Sequence, residues 1–175
     1  MTMHVRAISA DSHATEGHGV VFVHSTPRAM APHIEWALAG VFGVPVDVQW
    51  APQPVSPGTL RAEFTWSAPL GTGARLASAL MAFAQVRHEV TEDSSRGRTG
   101  ERFTVTPTLG LLRADIGPYG DVMVSEERLR SLLAAGGPSL AESIARLIGD
   151  PWDAELEPFR HASAGSSVRI LHEVV

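Results

Sequence analysis

Residues 60–93 read LRAEFTWSAPLGTGARLASALMAFAQVRHEVTED. Leu60, Ala62, Phe64 and Trp66 alternate with Arg61, Glu63 and Thr65, the period of a strand with one buried and one polar face. A glycine turn follows, and Thr72 is placed to cap a helix after it. Leu76, Leu80 and Phe83, with Ala77 and Ala84, recur at helical spacing and form its buried face. Val86–Thr91 closes the unit as a second strand.

A looser copy precedes it, offset by about forty residues. GVVFVH (19–24) is a continuous apolar run, as in a central strand covered on both faces. Met30, Ile34, Leu38 and Val41 then share one helical face. Thr26–Pro27 suits a helix start, but Pro32 would break a helix begun there. Either residues 27–31 form a separate turn or the helix kinks. VPVDVQW (44–50) alternates and reads as a strand with Pro45 at an edge. The order β-α-β-β-α-β predicts an α+β fold with a ferredoxin-like half at 19–93, its antiparallel sheet carrying both helices on one face. The polar residues of 60–66 then face away from those helices.

Outside this half the expectations are simpler. Residues 1–18, with His4, His13 and His18 and little apolar periodicity, read as a flexible tail, so that 19–175 forms one domain. Residues 94–175 extend it with strands and a helical C-terminal subdomain. Arg102–Leu112 is a strand interrupted at Pro107 and Gly110. Ser125 caps a helix over 126–135; Ser139 and Glu142 form a capping box for 140–148. A short helix starting at Asp150–Pro151 carries Trp152, Leu156 and Phe159, and Val168–Val174 closes the chain as a strand in the sheet.

Composition removes several kinds of chemistry. There is no Cys, so disulfides and thiolate catalysis are excluded. The 14 basic residues are all Arg, so no lysine Schiff base and no phosphate-loop lysine exists. A net charge of −5 without a basic stripe argues against nucleic-acid binding. The N-terminus MTMHVRAISADSH lacks a signal-peptide core, and no run reaches the roughly 20 apolar residues of a membrane span. A cytoplasmic protein without membrane contact is expected.

The candidate sites lie at two helix starts. Gly71, Thr72 and Gly73, followed by Arg75, leave backbone N–H groups free for an anion. This is no dinucleotide fingerprint, since Leu76 stands where a third glycine is required. Thr26 and Arg28 sit at the other helix start and are expected to share a cleft with Thr72. A tight, well-capped turn is the competing reading at both. His24 or Glu35 is a candidate acid–base group, with Arg28 or Arg75 as a substrate clamp; His24 and the adjacent Ser25 would point to opposite faces of a strand. Glu89, Glu92 and Asp93 with Arg96, Arg98, Glu101 and Arg102 read as a solvated charge run or a partner-docking surface. His33, His88, His161 and His172 lack metal-ligand spacing and read as satisfied or exposed; no metal or other cofactor is expected. Trp36, Trp50, Trp66 and Trp152 read as core or subdomain anchors.

VFVHSTPRAMAPHIEWALAGVFG, the stretch 60–95, GERFTVTPTLG, WDAELEPFRHA and VRILHEVV together resemble the uncharacterised actinobacterial family DUF3145. The resemblance covers nearly the whole chain from Gly19 onward and transfers no activity and no catalytic residue. It implies a soluble protein of actinobacterial type and a link to acyl metabolism. Two functions are carried forward. The first is a non-enzymatic binding or regulatory module, recognising a partner protein or a small anionic ligand, as a homodimer. The alternative is an enzyme acting on a small acidic metabolite.

Overall fold

The computed structural model describes residues 3–6, 16–95, 97–136 and 139–164. The protein is α+β and builds one eight-stranded sheet. Its spine is a pair of long antiparallel strands, β2 (Glu16–Pro27) and β4 (Thr59–Pro69), which follow β1 (Met3–Arg6) and β3 (Ala51–Pro52) in chain order. Beside β2 lies β5 (Arg87–Glu92), then β6 (Gly100–Thr106), β7 (Gly110–Ile116) and β8 (Val122–Met123). The order is β1-β4-β2-β5-β6-β7-β8, with β3 also paired to β4. All pairings are antiparallel except β1 with β4.

Register explains the faces. Phe64, Val21, Val90 and Phe103 form one row across the sheet, and all are buried. Against this face pack Ile34, Leu38 and Phe42 of α1 (Ala31–Phe42) and Leu76, Ala77 and Leu80 of α2 (Thr72–Leu80). The next row, Glu63, Phe22, Glu89 and Thr104, points to the opposite face. Three helices follow the sheet: α3 (Glu126–Ala135), α4 (Leu140–Ile148) and α5 (Asp150–Ala164). Of these, α5 packs on that second face, against β2 and β6.

Three expectations are corrected and one open alternative is settled. Part of the supposed N-terminal tail is a strand: Met3–Arg6 pairs in parallel with Phe64–Ser67, Val5 is buried, and β2 itself begins at Glu16. The stretch 44–50 forms no ladder. Its alternation is real, since Val46 and Val48 are buried, but it records burial rather than pairing. Only Ala51–Pro52 pairs, with Leu60 and Arg61, because β1 takes the edge further along β4. Arg102–Leu112 is a hairpin, β6 and β7, turned at residues 107–109 with Gly110 at φ 72°. Of the two readings at Pro32, the separate turn holds. Arg28–Met30 is a 3-10 turn, α1 starts after it, and Pro32 sits in its first turn at no cost in hydrogen bonds. The expected strand 168–174 lies outside the described residues.

Candidate functional site

The glycine turn does bind a carboxylate, and the chain itself supplies it. Gly71, at φ 86°, is the N-cap of α2. Its N–H donates to Glu92 Oε1 at 2.8 Å, and the Gly73 N–H donates to Glu92 Oε2 at 2.8 Å. Glu92 is buried, and a Cβ on Gly73 would lie 2.9 Å from its Cβ. Thr72 makes no capping bond; its hydroxyl donates to the Pro69 carbonyl. Arg75 is exposed and donates to the Val41 carbonyl. The helix start favours an anion as its dipole requires, but the donors expected to take an external one are occupied. Thr26 is fully buried, with its hydroxyl on the Pro27 carbonyl, and Arg28 is exposed without an ion pair among the described residues. Register places Thr26 opposite Leu60 and Glu16 opposite Pro69, so the two helix starts lie at opposite ends of the β2–β4 pair and share no cleft.

The two acid–base candidates are separated by the sheet. Glu35 accepts from Trp50 Nε1 at 2.8 Å and from the Val48 N–H, tying α1 to the segment before β3. His24 faces α5, with Nε2 2.6 Å from Glu89 Oε2. A β-bulge after Val23 changes the direction of the next residues, so Ser25 also turns toward that side. Its hydroxyl meets Arg87, which donates to Glu155 of α5 at 3.2 Å.

Glu89 is the hub of this layer, buried rather than part of a solvated charge run. It is buried and accepts from Arg102 Nη2 at 2.6 Å, from Arg160 Nη2 at 2.7 Å and from His24. Asp153 accepts from the same two guanidinium groups, at 2.7 and 2.8 Å. Burial alone would raise the Glu89 pKa; the bonds from His24 and Arg160 and the charge of Arg102 hold it far below the carboxylate range. Facing a carboxylate, His24 Nε2 carries the proton. Two carboxylates, Glu89 and Asp153, face two arginines, Arg102 and Arg160. The arrangement fastens α5 to the sheet. A signal was present: Glu89 lies midway along a short strand, on the same face as Phe22, where an unpaired charge would be costly.

Other single residues also depart from expectation. His88 is fully enclosed, and neither ring nitrogen has a hydrogen-bond partner. His33 is exposed, His161 pairs with Glu157, and His172 lies outside the described residues. Trp66 and Trp152 are buried, but Trp36 is 80% exposed and anchors nothing. Among the described residues no three His, Asp or Glu side chains converge as a metal set, and no helix is long and apolar enough to cross a membrane.

The sequence, which marks α3 and α4 by their caps, places no candidate site on them. Neither helix contains a buried residue. Leu129 and Leu133 of α3 are exposed, as are Leu140, Ile144 and Ile148 of α4. Beside them opens a cleft of about 390 Å³ with Leu112, Leu132, Leu147 and Trp152 among its walls. A second cleft, of about 380 Å³, adjoins it at Arg113 and Arg128 and includes Asp115 and Glu127. His24 lines neither. The signal was the capped, amphipathic pair of helices; what could not be read was that packing of α3 on α4 and of α4 on α5 leaves this apolar stripe partly exposed, Ile144 at 36% and Leu133 at 64%.

No curated protein and no solved structure matches the chain. A family model described as a protein of unknown function, DUF3145, matches residues 20–173. That span takes in the sheet from β2 onward, the α5 layer and the exposed α3–α4 pair, and the chain belongs to this family.

Proposed function

We propose that the protein is a non-enzymatic binding module that recognises a partner protein by an apolar helical segment laid on α3 and α4. The observation that carries this reading is the pair of helices without a buried residue. At 100° per residue, Leu147, Leu140, Ile144 and Ile148 span an arc of about 100° on α4. A stripe of that width is what a surface helix normally buries. Exposed apolar surface gathered beside a cleft marks interaction sites. The order β5-β2-β4-β3, with α1 and α2 on one face, supports reading 19–93 as a ferredoxin-like half that serves as scaffold.

The enzymatic alternative has less support. His24 donates to a structural carboxylate and meets neither Arg28 nor Arg75 in any hydrogen bond or ion pair.

The test is affinity capture from the native cell, run side by side with the parent chain and Ile144→Glu. The reading expects a protein retained by the parent, lost from the variant and rebinding when purified, with the variant's melting temperature lowered by no more than about 4 °C. Identical captured sets sink it. A shift of the parent to a dimer that Ile144→Glu abolishes would replace the partner by a second copy of the chain.

A further inference from the structure

The docking surface is not only apolar. Arg113, Arg128 and Arg146 stand around the cleft, and no acidic side chain lines it, although the whole chain carries a net charge of −5. The three are not equivalent. Arg113 donates to Glu101 across the β6–β7 hairpin. Arg146 lies over the Trp152 ring, 5.4 Å from its centroid. Neither Arg146 nor Arg128 pairs with a carboxylate among the described residues. A partner that covers the cleft removes water from both guanidinium groups. A covered charge without a counter-charge opposes binding, so the partner must bring carboxylates. A guanidinium already seated on an aromatic ring has lost part of its freedom, and its planar fork suits a carboxylate. In the adjoining cleft, Asp115 and Glu127 repel acids, which places the partner's carboxylates toward Arg146 and Arg128.

A small acid would fill the cleft alone. The apolar surface continues beyond it along Leu140, Ile144 and Ile148, which favours a longer ligand. We infer that the partner segment is an acidic amphipathic helix, its apolar face on α3–α4 and its carboxylates on Arg128 and Arg146. This rests on the partner-binding reading above and adds the chemistry of the occupant.

The test uses the full chain and synthetic peptides of about 18 residues, long enough to form a helix. They share one Leu/Ile face and carry Glu, Gln or Lys on the polar face. Fluorescence anisotropy is expected to show the Glu peptide binding about tenfold or more tighter than the Lys peptide, with the preference fading between about 0.1 and 1 M salt. Arg128→Gln is expected to reduce the preference at an unchanged melting temperature; Arg146→Gln does the same unless loss of the Trp152 contact loosens the fold, which Arg128→Gln controls for. Equal or tighter binding of the Lys peptide overturns the inference, as does absence of binding by all three. Binding of a long-chain fatty acid or of anionic vesicles, with none of the Glu peptide, also overturns it. A captured protein whose binding segment is basic would overturn this chemistry while leaving the partner-binding reading intact.

Discussion

His88 sits wholly buried under α2, without a partner for either ring nitrogen. Burial disfavours its charged form, and backbone groups of Val86 and Ala77 offset only part of this, leaving a pKa of about 4 against the usual 6.5. The unfolded chain takes up a proton near pH 6.5 and the folded chain only near pH 4. Stability is therefore full above pH 6.5 and falls as the pH drops toward 4, by about 3 kcal/mol in all. The depressed Glu89 adds its own loss only at the acid end of that window, as the pH falls past the ordinary carboxylate value of 4.5. Urea melts across the window are expected to show this slope. His88→Leu is expected to remove it and to raise stability near neutral pH by about 1–3 kcal/mol, since an unsatisfied buried polar group is replaced by an apolar one. A slope that survives in the variant between about pH 6.5 and 5.5, above the carboxylate range, contradicts this account of His88. The glycines give a matched pair at the same scale. Gly73→Ala drives a methyl into Glu92 and is expected to cost about 1–3 kcal/mol. Gly40→Ala, inside α1 and facing open space, is expected to gain about 0.5–1 kcal/mol.

Among the elements, α5 and α3–α4 are held by opposite means. The α5 helix is fastened by charge as well as by Leu156 and Phe159. Glu89→Ala leaves Arg102 and Arg160 without their central acceptor and is expected to cost about 3 kcal/mol or more. Asp153→Asn should cost less, because Asp153 is far more exposed than Glu89 and the hub remains. Protection of α5 amides from hydrogen exchange would report both losses locally; equal effects of the two substitutions would argue against a hub at Glu89. The α3–α4 pair is held by little within the described chain. Ile144→Ser, at a site 36% exposed, is expected to cost no more than about 1 kcal/mol. Leu156→Ala, in a buried site, is expected to cost about 2–5 kcal/mol. Chemical denaturation of both variants decides whether the α4 stripe belongs to the core.

Across the whole molecule, the strands with strong alternation were legible and the layers between them were not. Leu60–Trp66 faces the core as its period requires, because alternation is a property of one strand. The parallel strand β1 was hidden, since four residues with one buried valine carry no period. The helix start at Gly71–Thr72–Gly73 was legible as an anion site; Glu92 was not legible as its occupant, because that contact depends on how β5 lies against the turn. Glu89 was misread for the same reason: a charge run shows what is charged, not what it faces. How much of the α3–α4 stripe stays exposed depends on what packs against it, which no local pattern records. The account therefore turns on whether that face is outside the fold and available. The most direct measurement is the Glu-peptide affinity of Ile144→Glu, read beside its melting temperature. The expected result is an affinity lowered by about tenfold or more, with the melting temperature lowered by no more than about 4 °C. An unchanged affinity, or a melting temperature that falls sharply because the chain itself covers Ile144, would contradict it.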